Sequence, residues 1–68
     1  MTKIERFIEE NDKKVCTSEE EYKAIEESEL VTKFENIGDD NTGNNYMVDV
    51  DLINGENITV YVDKKIFK

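Results

Sequence analysis

From residue 46 to residue 62 the chain alternates between apolar and polar side chains, with one short interruption. Tyr46-Met47-Val48-Asp49-Val50-Asp51-Leu52 and Ile58-Thr59-Val60-Tyr61-Val62 both follow a period of two, which predicts a pair of half-buried strands. The connection between them fixes their register. A two-residue Asn54-Gly55 turn would set Val50 opposite Thr59 and Asp51 opposite Ile58, mixing core and solvent positions on one face. A three-residue Ile53-Asn54-Gly55 turn with Gly55 left-handed pairs Val50 with Ile58, Val48 with Val60 and Tyr46 with Val62. The other face then carries Asp51 with Asn57, Asp49 with Thr59 and Met47 with Tyr61. Only the longer turn keeps one face dry.

Upstream the period changes. Ile4, Phe7 and Ile8 stand at helical spacing within residues 2–12, with Thr2 as N-cap. If that helix runs on, Glu9 with Lys13 and Glu10 with Lys14 form i,i+4 pairs. Asn11-Asp12 breaks it, and Val15-Cys16 reads as a short extended or loop segment. Thr17-Ser18-Glu19-Glu20-Glu21 starts a second helix, the capping box being either Thr17 with Glu20 or Ser18 with Glu21. This helix runs to about residue 28, with Tyr22 and Ile25 inward and Ala24 near the margin. Residues 30–37 read as a strand ended by Gly38, and Phe34 assigns Leu30, Thr32, Phe34 and Asn36 to its core face. Residues 38–45 are turn chemistry throughout, an eight-residue loop expected to be the most mobile part. Near the end, Ile66 or Phe67 is placed to dock on the core. The expected fold is α+β: two N-terminal helices followed by a three-stranded antiparallel β-meander (ααβββ), in one domain spanning residues 1–68, with the helices covering one sheet face.

Composition narrows the classes. A chain of 68 residues buries only roughly 60% of its unfolded surface, so its core is small. One cysteine, Cys16, and no histidine exclude an internal disulfide and a structural zinc site, and point to a reducing, cytoplasmic setting. No apolar run approaches the roughly 20 residues that span a bilayer. Lys3, Glu5 and Arg6 at the start do not read as a signal peptide. Seventeen acidic against nine basic residues leave a net charge of −8. That balance argues against direct binding of nucleic acid or anionic membrane, and favours a basic protein surface as partner.

Candidate chemistry is correspondingly sparse. Asp49-Val50-Asp51 with Asn54-Gly55 has the wrong spacing for a calcium loop, with Ile53 and Asn54 where a ligand and a glycine belong. Asp39-Asp40 is explained by turn-forming side chains without any ion. No histidine is present to activate Cys16, and Thr17 and Ser18 are committed as caps, so no enzyme, metal or cofactor is expected. What stands out is the second helix, where Glu19, Glu20, Glu21, Glu26, Glu27 and Glu29 face Lys23 alone: six acids against one base, a net of −5. Carboxylates three, four or seven residues apart form columns with neighbours roughly 5–6 Å apart, commensurate with phosphates along a nucleic-acid strand. The expected partner-binding residues are Glu19, Glu20, Glu26, Glu27, Asp39, Asp40, Asp49, Asp51 and Tyr61, on patches whose sharing of one side the sequence leaves open. The expected function is to bind and block a basic nucleic-acid-binding groove of a host nuclease or another DNA or RNA enzyme. The alternative is a non-enzymatic interaction module using the open sheet face or a strand edge, as a monomer or a weak homodimer.

In size, acidity, Lys/Glu/Asn-rich composition and lone-domain format, the chain resembles the small phage-encoded host-takeover proteins, of which anti-CRISPR proteins are the best known. No motif is matched residue by residue. The resemblance implies a host-cytoplasmic inhibitor whose target is a positively charged channel, such as that holding guide heteroduplex or PAM DNA in a Cas nuclease.

Overall fold

The hairpin is the centre of the molecule, and its register follows the alternation of its side chains. The computed structural model describes residues 2–67. Its elements are α1 (Lys3–Asn11), β1 (Val15–Cys16), α2 (Glu19–Glu26), β2 (Val31–Asp39), β3 (Asn45–Leu52), β4 (Asn57–Asp63) and a closing 3-10 turn, Lys64–Phe67. Strands β3 and β4 pair antiparallel with Tyr46 opposite Val62, Val48 opposite Val60 and Val50 opposite Ile58. The turn has three residues: Leu52 N–H donates to the Glu56 carbonyl at 2.8 Å, inside which Gly55 N–H donates to the Leu52 carbonyl at 3.0 Å. Gly55 takes φ 90°, the left-handed value that a turn of this length requires.

The expected three-stranded antiparallel meander is not what forms. The sheet has four strands in the order β1-β4-β3-β2, and it is mixed, because Val15–Cys16 lies parallel to β4 with Val15 opposite Tyr61 and Cys16 opposite Val62. The physical reason lies in the backbone on either side of helix α1's end. Asn11 closes the helix, its side-chain amide donating to the Phe7 carbonyl at 2.9 Å. Lys13 then takes φ 62°, and its N–H donates to the Thr59 carbonyl at 2.6 Å, while Tyr61 N–H donates to the Lys14 carbonyl at 2.8 Å. Residues 13–16 are thus carried along the free edge of β4, satisfying backbone groups that would otherwise be left open. The helix stops short of Lys13 and Lys14, so the pairings foreseen for them with Glu9 and Glu10 do not form. Lys14 reaches Glu21 instead, at 3.6 Å.

Both helices cover one face of the sheet. The core is Cys16, Ile25, Val48, Val50, Leu52, Ile58, Val60 and Val62, flanked by Ile4, Phe7, Ile8, Tyr22, Val31, Phe34 and Ile66. Helix α1 begins with a full capping box, Thr2 accepting from Glu5 N–H and Glu5 accepting from Thr2 N–H. For α2 the cap is Ser18, whose hydroxyl accepts from Glu21 N–H at 3.3 Å. Of the two residues expected to dock, Ile66 packs on the core, while Phe67 stays 53% exposed with its ring 5.7 Å from Tyr22 and 5.5 Å from Tyr46.

Strand β2 is longer and less regular than its sequence suggests. Phe34 faces the core opposite Val50, as expected, but the register shifts between Val31 and Lys33 and again between Asn36 and Gly38. The first shift turns Val31 inward and Thr32 outward, its hydroxyl donating to the Asp51 carbonyl at 3.2 Å. The second leaves Ile37 55% exposed. Gly38 does not end the strand; it continues to Asp39 with Gly38 at φ 115°, and the loop shrinks to residues 40–44.

Candidate binding surfaces

The outer face of α2 is acidic because its inner face takes the apolar positions. Ile25 is buried and Tyr22 stacks on Phe34, ring centroids 6.4 Å apart. At 100° per residue this turns Glu20 and Glu27 outward in one column, about 10 Å apart along the axis, with Glu19 and Glu26 to one side. Lys23, in the same column, is claimed by Glu19 at 2.8 Å, and that hydrogen bond raises the lysine's pKa. Glu21 turns the other way, accepting from Thr17 at 3.0 Å and Ser18 at 3.4 Å. The Thr17 bond holds its carboxyl below the usual glutamate range, against partial desolvation and with Lys14 assisting. Glu20, Glu26 and Glu27 have no ion-pair partner among the described residues.

Asp49, Asp51 and Tyr61 lie on the opposite side of the molecule. They alternate with core residues of β3 and β4, so they point away from the helices. This open face is built of cross-strand rows. One row is Val15, Tyr61 and Met47, ending at Gly38 on β2; the next is Thr59, Asp49 and Glu35; the third is Asn57, Asp51 and Lys33. Asn57 donates its side-chain amide to both Asp49, at 2.6 Å, and Asp51, at 2.7 Å, which holds two like charges side by side. Lys33 pairs with Glu35 at 2.9 Å and its pKa is raised by that bond. Among the described residues, no group of three or more acidic or cysteine side chains is placed to hold a metal ion.

Asp39 and Asp40 are engaged within the fold, although Asp40 also lines a recess beside Val15, Met47 and Tyr61. Asp39 is paired with Lys64 at 2.8 Å, and the lysine also lies 5.2 Å from the Tyr46 ring centre. Asp40 organises its loop: one carboxylate oxygen accepts from Thr42 N–H, the Thr42 hydroxyl and Gly43 N–H at 2.8–3.0 Å, the other from Asn45 at 3.1 Å. Partial desolvation pushes its pKa up, but the bonds from Thr42, Asn45 and Gly43 outweigh it and hold the carboxyl at about 2. A carboxyl depressed in the folded state stabilises fully above its ordinary value near 3.8 and loses that contribution as pH falls through 2. The loop amides of Thr42 and Gly43 should therefore stay protected from hydrogen exchange at pH 4 and lose protection towards pH 2; in Asp40→Asn they should exchange faster already at pH 4.

Cys16 is not a surface thiol. It is 0% exposed, and burial raises its pKa, with Lys14 opposing and Glu21 adding to the rise. A thiol of this kind is inert until the fold opens. An aromatic disulfide reagent should label the native protein more than about tenfold slower than the urea-unfolded chain, and equal rates would contradict this placement of β1.

The acidic patches thus do not share one side. The structure brings together Glu20, Glu26 and Glu27 on the helix layer, and Asp49, Asp51 and Tyr61 on the open sheet face, with the whole thickness of the molecule between the groups. It spends Glu19, Asp39 and Asp40 on internal bonds. It adds Val15, Met47, Lys33 and Glu35 to the open face; Met47 was legible from the hairpin, while Val15 enters only through the parallel pairing of β1. No family model, curated protein or solved structure matches this chain.

Proposed function

We propose that this chain is a non-enzymatic acidic binding protein that seats in a positively charged channel of a nucleic-acid enzyme and keeps the nucleic acid out. The observation that carries the reading is the placement of its uncompensated carboxylates on two opposed surfaces of a narrow body. The molecule extends 35 × 21 × 18 Å, a cross-section close to that of a duplex. Glu20, Glu26 and Glu27 stand on one side, and Asp49 and Asp51 on the other. A duplex likewise offers negative charge to both walls of the channel that encloses it. A flat basic surface would engage only one of these sets; a channel engages both. The heteroduplex channel of a Cas nuclease is a site of this kind, and a phage-encoded inhibitor acting in the host cytoplasm is the setting in which the reading makes most sense. The test is recovery of partners from a bacterial lysate on the tagged chain, at low and then high salt. A basic nucleic-acid enzyme retained at low salt and released by high salt supports the reading, because opposite charges across an interface are screened.

A second reading uses the open face as an ordinary protein contact, and the row Val15, Tyr61 and Met47 favours it: Val15 is 45% exposed, and Tyr61 and Met47 are half-buried. Salt-resistant binding that is lost in Tyr61→Ala or Met47→Asp, and kept when the α2 acids are neutralised, would select it. The strand edges suit this role less well. Strand β1 is two residues long, and β2 is interrupted by two register shifts, devices that blunt an edge against pairing.

A further inference from the structure

We infer that the crease between α1 and α2 is a seat for one long basic side chain, lysine or arginine, of a partner protein, its floor made by Phe7, Ala24 and Ile25 and its anionic lip by Glu20. This rests on the reading of the protein as a binder of a basic channel, and it names the contact on the helix side. All four residues line one recess of about 360 Å³. That is the lower end of what a small ligand needs and suits one extended side chain. The recess exists because α2 turns a small residue towards α1. Ile25 is buried, Phe7 is half-buried, and Ala24 between them and solvent is exposed. Glu20 stands one helical turn before Ala24, so carboxylate and methyl are neighbours on the helix, roughly 5–6 Å apart at their Cβ atoms. A stem laid across Ala24 brings its head to Glu20.

Charge decides the occupant. The charged side chains lining the recess are Lys14, Glu20 and Glu21. Two of them answer each other. Lys14 lies 3.6 Å from one Glu21 oxygen, and the other Glu21 oxygen accepts from Thr17 and Ser18. Glu20 has no ion-pair partner among the described residues. The lining therefore carries one uncompensated negative charge beside an apolar floor. An alkyl stem with a cationic head matches both parts at once. Lys14 repels a second cation from the Glu21 end, which leaves Glu20 to take the head group. A short cation would miss the floor, a neutral guest would lose the carboxylate, and an anion would be repelled by it.

The test uses the full chain, its Ala24 methyl and Phe7 ring followed by nuclear magnetic resonance at pH 6 and low salt. The probes are acetyl-Gly-Lys-Gly-amide, the same tripeptide with ornithine or diaminobutyrate as shorter stems, and the norleucine tripeptide, which keeps the stem without the charge. The lysine peptide should shift both signals saturably. Each methylene removed should weaken binding about twofold, as a half-covered methylene would, and norleucine should bind about fivefold more weakly than lysine. Glu20→Gln should weaken the lysine peptide by about the same factor. Ala24→Leu, a good helix former at an exposed position, keeps every charge; it should fill the floor and erase the dependence on stem length. Glu27→Gln, on the same helix but outside the recess, should leave the affinity unchanged. Unmoved signals, affinity independent of stem length in the parent chain, or equal losses in Glu20→Gln and Glu27→Gln would overturn the seat. Those failures leave the channel reading standing, since that one is decided by the helix and sheet acids together against a basic enzyme.

Discussion

Leu52→Ala is expected to lower the stability of the fold by about 2–5 kcal/mol, read as a fall in the urea midpoint with an unchanged slope. Leu52 is 2% exposed and ends β3 opposite Val31, where the hairpin closes over the sheet's lower end. Truncation removes its transfer free energy and leaves a cavity that neighbours held by backbone ladders on both sides fill only in part. A chain of 68 residues has a total stability of roughly 3–10 kcal/mol, so this one change consumes much of it. The informative control is Ile37→Ala. Both residues are large aliphatics in strands, but Ile37 sits on a register shift and is 55% exposed, so its truncation should cost less than about 0.5 kcal/mol. Equal costs would mean that β2 does not carry the second shift. A loss at Leu52 below about 1 kcal/mol would mean that the core lies elsewhere.

That contrast also marks how far the sequence reaches. The β3–β4 hairpin was legible down to individual pairs, because alternation and turn length constrain each other: a two-residue turn would part Val48 and Val50 from Ile58 and Val60, and the three-residue turn keeps them on one face. The helix starts were legible as Thr2 for α1 and as one of two registers for α2, of which the fold takes Ser18 with Glu21 and not Thr17 with Glu20. Strand β1 was not. Two residues carry no period, and a parallel pairing between Cys16 and Val62 leaves no local trace in a chain where they stand so far apart. What places them is the left-handed Lys13 and the closure of α1 at Asn11, which are properties of the folded backbone. The shifts in β2 were hidden for a related reason: Val31 and Phe34 both face inward, three residues apart, and a strict period of two cannot accommodate that.

The surfaces were legible in part. Glu20 and Glu27 follow from helical geometry once Tyr22 and Ile25 are inward, and Asp49 and Asp51 follow from the hairpin. Their mutual position did not follow, since it depends on which sheet face the helices cover. Asp39 and Asp40 read as turn-forming acids in the sequence and were also counted among the partner-binding residues. In the fold, Lys64 and the amides of the loop occupy them, partners supplied by a turn whose shape no pairwise spacing announces.

Neutralising Glu19, Glu20, Glu26 and Glu27 together with glutamine is expected to weaken binding to a basic nucleic-acid enzyme by up to about a hundredfold while leaving the fold in place. The formal charge goes from −8 to −4, since four acids are removed. At about 0.7 kcal/mol for each exposed opposite-charge contact, four of them amount to roughly 3 kcal/mol, about a hundredfold in Kd. Glu19 contributes least, because Lys23 already claims it. The measurement is calorimetric titration of the enzyme at two salt concentrations, with the amide spectrum of the variant as the check on folding. Because a channel has two walls, Asp49→Asn with Asp51→Asn should weaken binding as well. The two sets lie far enough apart for their losses to add. Additive losses, each shrinking as salt shortens the Debye length, are the signature of a body enclosed by positive charge. Loss from the α2 set alone would replace the channel by a one-sided contact. Binding unaffected by either set would remove charge as the basis of recognition and leave the Val15–Tyr61–Met47 row as the surface to pursue.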